Sequence, residues 1–368
     1  MLWLKRLGWC MVALLLAGIV YGGSVIWGMN RSEGEIKMNF GFGNTYKVDD
    51  HKTEALANIE TIEIITSSSD TSLSISTGST LEASLTGSIT TLSPDPEPKL
   101  ITSVSGNTLT IEEVRKSDVA LYFYNFSLKL DITLPEDFSG SLVFTGSSST
   151  LNADPLTLTN LDIKTSSGDI KLTKVDLAGE FRAESSSGKI ELDTLSATRA
   201  TLKTSSGDKK LGTIALTDDM NCLSSSGVID VQALVCANAN FESSSGDIRI
   251  TQADTIGLLA QASSGSIKIK AFKGGARIKT SSGDVTLNCT ALTDNLSLGA
   301  HSGTITLAFP NGCDFNLNAT VNSGSIRNDF TLTGSQSEEK RLTGVLGNGG
   351  IEVNLSTSSG DIRIKKSL

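Results

Sequence analysis

Ile163-Lys164-Thr165-Ser166-Ser167-Gly168-Asp169-Ile170-Lys171-Leu172 is a stretch the chain writes again and again. Ser-Ser-Gly or a close variant ends at Gly168, Gly188, Gly207, Gly227, Gly246, Gly265, Gly283, Gly303 and Gly324. The spacings are 20, 19, 20, 19, 19, 18, 20 and 21 residues. Gly360 closes a last unit after 36 residues, close to two periods, and Ser147-Ser148-Ser149-Thr150 reads as a degenerate first copy. Such self-similarity is the mark of a repeat architecture.

A Ser/Gly-rich run can equally be a flexible linker, and the columns around each glycine argue against that. Five residues before it stand Ile163, Ala183, Leu202, Cys222, Phe241, Ala260, Ile278, Leu298, Ala319 and Leu355. Two after it stand Ile170, Ile190, Ile229, Ile248, Ile267, Val285, Ile305, Ile326 and Ile362, with Lys209 the one exception. Columns seven before and four after are apolar too, and a linker has no reason to keep such a register. Apolar and polar residues alternate within each unit, the period of a strand with one buried face. Each unit therefore reads as strand, Ser-Ser-Gly turn, strand and variable loop.

Stacked in parallel, such units bury a core that none could bury alone. The pattern predicts an all-β fold, a parallel β-solenoid (β-helix) of about ten rungs of 19–20 residues, roughly 50 Å long at ~4.8 Å per rung. A row of antiparallel hairpins is the rival; the near-constant period and same-residue columns favour the solenoid. In the turn, Gly is expected to supply a positive φ, and the Ser before it to stack as a hydroxyl ladder or bond nearby backbone. The outward column Lys171, Glu191, Lys210, Asp230, Arg249 alternates in sign, as adjacent strands prefer.

The units are preceded by different material. Residues 7–29 carry no charge over 23 residues, roughly 34 Å if helical and enough to cross a bilayer core. Lys5 and Arg6 lie before this stretch, with Trp9 and Trp27 near its ends. It predicts one transmembrane helix, an uncleaved signal anchor with the N-terminus cytoplasmic and the rest extracytoplasmic. A cleaved signal peptide is the competing reading, and Val25-Ile26-Trp27 is a poor approach to a cleavage site. The expected divisions are 1–29 cytoplasmic tip and anchor, 30–57 stalk, 58–135 irregular β cap region, and 136–368 solenoid repeats. A solvated loop insert is expected at 334–350, and Lys365 and Lys366 after the last strand would discourage end-to-end pairing.

The composition narrows function. Aromatics are 5% and Pro numbers 6, which excludes collagen-like, coiled-coil and multi-pass membrane chains. The net charge is -9, and without Lys5 and Arg6 it is -11, a poor basis for binding nucleic acid. Two histidines, His51 and His301, offer little for catalysis or metal binding.

Asp169, Asp208, Asp247, Asp284 and Asp361 follow their glycines. A calcium-binding column would need an unbroken nine-residue pattern, and Lys189, Val228 and Ser266 interrupt this one, so turn capping is the expected role. Some β-helices act on polysaccharides with clustered carboxylates. Here Asp162, Glu184, Glu191, Asp230 and Glu242 interleave with cations, and Phe181 and Phe241 point inward. Cys10 lies in the apolar stretch, while Cys222, Cys236, Cys289 and Cys313 have no spacing that identifies a bridge or metal site. No catalytic, cofactor-binding or metal-binding residue is assigned, and no cofactor is expected.

The repeated Thr-Ser-Ser-Gly-Asp-Ile motif behind one anchor resembles a bacterial family of β-strand-repeat proteins labelled putative adhesins. The entry run Leu128-Lys129-Leu130-Asp131-Ile132-Thr133-Leu134-Pro135 looks like that family's own, and the resemblance covers about residues 58–368. The chain is also similar to an accessory membrane protein of the Lia cell-envelope-stress operon. That family is largely of unknown function; it is the long rod, the repeated side-chain columns and the lack of a catalytic cluster that point to a protein that is not an enzyme, in a cell-surface binding, adhesin-like or scaffold role. Its expected partners are cell-envelope or cell-surface components and other membrane proteins. The alternatives are an accessory component of an envelope-stress response and, third, a polysaccharide-active enzyme. No site residues come with the family.

Overall fold

The strands on either side of each Ser-Ser-Gly turn lie in two parallel ladders. In the computed structural model, which describes residues 44–67, 69–91, 98–114 and 125–367, all regular structure is β. Before the turn, Leu161 pairs with Phe181, Phe181 with Ala200 and Ala200 with Met220. After it, Ile170, Ile190, Lys209, Ile229, Ile248, Ile267, Val285 and Ile305 form one continuous file. Because the pairing is parallel and in register, each sequence column becomes a file of side chains ~4.8 Å apart. The inward files are the core: Ile163, Leu202, Phe241 and Ile278 are all fully buried. Each such side chain stabilises the fold by about 1.5–3 kcal/mol. The fold is thus a parallel β-solenoid.

Its coil follows chain order for about eight turns, those closing at Gly168 to Gly303, rather than the ten expected. The remaining two units belong to the stack in reversed order. Strands Glu352–Ser359 and Ile362–Lys366 pair with the Gly303 turn on one side. On the other side they pair with Phe315–Ser323 and Ile326–Asn328. The Gly360 turn is therefore inserted between those of Gly303 and Gly324. The N-terminal end does the same: Thr61–Thr66 and Asp70–Ser76 sit between Thr108–Val114 with Asn125–Pro135 and Ser141–Gly146 with Leu151–Ala153.

Antiparallel strands cover the ends. Asn44–Ala55 pairs with Thr80–Thr91, which pairs with Asn125–Pro135, and Lys99–Ser105 pairs with Thr108–Val114. The Asp50 carboxylate then accepts the N–H of Leu100 at 2.8 Å, and that of Glu54 accepts the Thr102 hydroxyl. Carboxylates placed on an edge strand block further pairing. Three expectations change accordingly. Residues 44–55 of the expected stalk 30–57 form a strand of the sheet. The insert 334–350 is a hairpin, Thr333–Glu338 and Arg341–Leu346, laid on Phe315–Ser323, not a solvated loop. Lys365 and Lys366 belong to an interior strand, where Lys366 lies 5.7 Å from the Phe330 ring centre instead of guarding an end.

The glycines also do something other than expected. Among those from Gly168 to Gly303, none that closes a turn has positive φ. They are needed because successive turns nearly touch. A Cβ on Gly188 would lie 1.9 Å from the Gly168 carbonyl oxygen, and one on Gly207 1.8 Å from that of Gly188. The serine before each glycine is exposed, and no hydroxyl ladder links these serines among the described residues.

The anchor expected at 7–29 lies outside the described residues. No helix among those described is long and apolar enough to cross a membrane.

Candidate functional site

The outer surface is built from files, so each candidate side chain is read with its neighbours one rung away. In spatial order the file after the turn glycines runs Asp70, Thr150, Asp169, Lys189, Asp208, Val228, Asp247, Ser266, Asp284, Thr304, Asp361, Ser325. Aspartate occupies every second rung. Each Asp Oδ1 accepts the backbone N–H of the next residue in the file. The distances are 3.3 Å for Thr150, 2.9 Å for Lys189, Val228, Ser266 and Ser325, and 2.8 Å for Thr304. The turn leaves this N–H outside the ladders, and the carboxylate satisfies it. Two rungs separate successive carboxylates, roughly 10 Å, far more than a calcium ion bridges at about 2.5 Å.

The Ser325 N–H, then the Ser325 hydroxyl and Arg363, hold the Asp361 carboxyl below its usual range. A depressed carboxyl contributes stability that is complete above its unfolded value and is lost as pH falls through the folded one. Below about pH 4, the urea midpoint of the wild type is expected to fall more steeply than that of Asp361→Asn. Parallel curves would refute this.

A file three residues before each glycine escapes a reading based on apolar residues, although its hydroxyls recur plainly in the sequence. Thr165, Ser185, Thr204, Ser224, Ser243 and Thr280 are buried. Four of them lock the turn by accepting the glycine N–H: Thr165, Ser185, Ser243 and Thr280, at 2.9–3.1 Å. Thr204 and Ser224 instead donate to the carbonyl of their own turn glycine, Ser224 to Gly227 at 2.9 Å, and Thr204 also accepts from Lys209. Nζ of Lys209 donates to Thr204 Oγ1 at 2.6 Å, and that hydroxyl gives its own proton to the Gly207 carbonyl at 2.7 Å.

Lys209 is therefore a buried ammonium in a file of isoleucines, 1% exposed, and burial lowers its pKa. Lys209→Met should raise stability at neutral pH by about 1–3 kcal/mol, since the apolar stem stays and the buried charge goes. The sign with pH follows. Between the lowered folded pKa and the unfolded value near 10.4, the unfolded chain holds the extra proton, so wild-type stability rises with pH. The advantage of the Met variant should shrink over that window; equal stability at neutral pH would contradict the argument.

Among the outward carboxylates Glu184 is ion-paired, whereas Asp162 and Glu191 make no ion pair or side-chain hydrogen bond among the described residues. Glu184 binds Arg182 at 2.6 Å and lies 3.6 Å from Lys203. Partial burial opposes ionisation of Glu184, but the Arg182 hydrogen bond and the two cations hold its pKa below the ordinary value. Asp162 is raised, chiefly by burial, with Arg182 opposing. Glu242 accepts from Asn240 at 3.0 Å and Asp230 from Gln232 at 3.4 Å. His301 is exposed in its turn, and Phe181 and Phe241 are core residues. Cys222, Cys236 and Cys289 are free buried thiols, each pushed up to about 12 mainly by burial, and Cys313 is half-buried and free.

Two concavities follow from the files. The first, about 690 Å³, runs along seven successive turns beside Ser186, Ser205, Ser225, Ser244, Ser263 and Ser281. Its other wall carries Lys164, Glu184, Lys203, Leu223, Glu242, Gln261 and Lys279. The second, about 920 Å³, is a notch on the strands before the turn, centred on Gly257 and Gly275 and edged by Asp219, Asn238, Ile256, Arg277, Asp294 and Glu352. These surfaces offer hydrogen bonds in regular array, which suits recognition of a ligand.

Comparison with known proteins agrees with the repeat. The family model described as Toastrack DUF4097 matches twice, over residues 59–218 and 213–365. No curated protein matches the sequence. Among solved structures, a putative adhesin from Parabacteroides distasonis is 14% identical, with 89% of this chain and 98% of that one covered and a TM-score of 0.36. A putative adhesin from Bacteroides fragilis is 15% identical over 89% and 99%, TM-score 0.29. A putative cell adhesion protein from Clostridium sporogenes is 11% identical over 88% and 100%, TM-score 0.25.

Proposed function

This chain belongs to the Toastrack DUF4097 family, and we propose that it is an adhesin-like binding protein without enzymatic activity, anchored in the membrane with its repeats outside the cell. The groove that crosses seven turns supports this reading. Exposed hydroxyls recur along it once per rung, ~4.8 Å apart over roughly 30 Å. A surface that repeats suits an extended, repeating ligand of the cell envelope. Among the outward carboxylates, Glu184 is held by Arg182 and Lys203, and the turn carboxylate of Asp208 by the Val228 N–H. The uncharged stretch 7–29 and its flanking Lys5 and Arg6 support the anchor and its orientation.

The test is in-cell cross-linking of the full-length tagged protein, with partners identified by mass spectrometry. Envelope polymers or surface proteins of neighbouring cells should be recovered, and should persist when an unrelated anchor replaces residues 1–29. Recovery of sensor or transport proteins alone, lost with the native anchor, would favour an envelope-stress accessory instead.

A further inference from the structure

The notch interrupts a file that is otherwise polar along the stack. Eight residues before each turn glycine stand, in spatial order, Asn160, Glu180, Arg199, Asp219, Asn238, Gly257, Gly275, Asn295, Glu352 and Asn316. Gly257 pairs with Asn238 on one side and Gly275 on the other. Elsewhere members of this file bond their neighbours. Arg199 bridges Glu180 at 2.9 Å and Asp218 at 2.8 Å, Asn238 donates to Asp219 at 3.0 Å, and Asn316 to Glu352 at 2.8 Å. Two consecutive rungs without side chains leave a gap walled by amides and carboxylates.

Several features gather at this gap. The unit from Gly265 to Gly283 spans 18 residues, the shortest spacing, and the register shifts between Asp254 and Gly257. The chain cuts its corner there through Gly274, whose φ of 140° brings it against the Thr255 carbonyl. Ile256 stands on the rim 71% exposed, above a half-buried Leu259. Arg277, paired in register with Leu259, is exposed and makes no hydrogen bond or ion pair among the described residues. Beside it the amide ladder from Asn221 to Asn240 stops where Leu259 takes the next place, leaving Asn240 Oδ1 without a donor.

We infer that this notch binds a short neutral oligosaccharide. Planar guanidinium, amide and carboxylate groups meet paired hydroxyls with two parallel hydrogen bonds. Ile256 and Leu259 offer an apolar surface to the C–H face of a sugar ring. The volume is that of a small-ligand site. Asp219, Asp294 and Glu352 outnumber Arg277, so the walls repel an anionic ligand. The inference rests on the surface-binding reading and gives it a specific contact point.

The experiment is calorimetric titration of the full-length protein, in a detergent without a sugar headgroup, with four neutral trisaccharides: β-1,4-linked N-acetylglucosamine, β-1,4-glucose, α-1,4-glucose and α-1,2-mannose. At least one should bind, and its affinity should fall tenfold or more in both Gly257→Asn and Arg277→Ala. A Cβ at Gly257 meets only Asn238 Oδ1, at 3.1 Å, so the Asn variant extends the existing file and fills the notch. If it misfolds, Arg277→Ala decides. Absence of binding by all four, or unchanged affinity in a folded variant, overturns the inference. Envelope partners still cross-linked by Gly257→Asn would leave the wider function standing while the notch fails.

Discussion

Gly227→Ala is expected to destroy the middle of the stack at a cost upwards of about 3 kcal/mol. The new methyl would lie 2.1 Å from the Gly207 oxygen, 2.5 Å from its carbonyl carbon and 3.0 Å from the Asp208 nitrogen. These are backbone atoms on a rung fixed by ladder bonds on both sides, so no side chain can swing away. Relief requires the two rungs to part by about an ångström, against an ordinary C···O approach of about 3.3 Å. Flanking bonds would break, including Ser226 N–H to Ser205 O at 2.9 Å. Gly78→Ala is the control, since its Cβ would meet nothing nearer than Ser76 Oγ at 3.6 Å, and it should stay within about 0.5 kcal/mol. Chemical denaturation and amide exchange at Ser226 and Ile229 measure both. Equal costs for the two alanines would mean the close approach is not what selects glycine.

Removal of residues 351–368 is the second large effect. Val353, Leu355, Ile362 and Ile364 are at most 1% exposed, so their loss forfeits roughly 6–12 kcal/mol of gross burial. The consequence is also topological. Phe315–Ser323 and Ile326–Asn328 reach the rest of the stack through the Gly360 unit, and the hairpin 333–346 hangs on the first of them. Amides of 315–346 should lose protection together, and those of 305–309 should exchange faster. Turns closing at Gly188 to Gly246 should keep theirs, because each rung of a solenoid feels chiefly its neighbours. Unchanged protection of 315–328 would show instead that these strands close the gap and pair directly with the Gly303 turn.

Both results depend on neighbours in space, and there the chain's own pattern reaches its limit. A column such as Ile170, Ile190, Ile229 and Ile248 could be read as a buried file because a strand has period two and the turns recur at a near-constant interval. From that come the parallel ladders, the core and the exception at Lys209, all local properties repeated. The turn-locking hydroxyls of Thr165, Ser185 and Ser243 were equally written in the repeat, at an offset that a search for apolar columns passes over. The glycine requirement was legible as a requirement, but its cause was not. A positive φ is a property of one residue, whereas the contact of Gly188 with Gly168 exists only once two turns are stacked.

Chain order also concealed the aspartate pattern. Along the sequence the file after the turns ends Thr304, Ser325, Asp361, and the alternation looks broken. In space Asp361 lies between Thr304 and Ser325 and alternation is complete, each carboxylate serving the turn above it. The notch was hidden for the same reason, since Gly257 and Gly275 are ordinary glycines until pairing makes them adjacent. The repeating unit, its strand character, its buried faces and the family to which the chain belongs can be read from the residues alone, because those follow from interactions within one period. The order of the rungs at the two ends, the covering of the edges and the place of the notch emerge once the strands are paired in space. These depend on which strand pairs with which, and when units are so alike, that choice is made by the closing of edges at the ends of the stack.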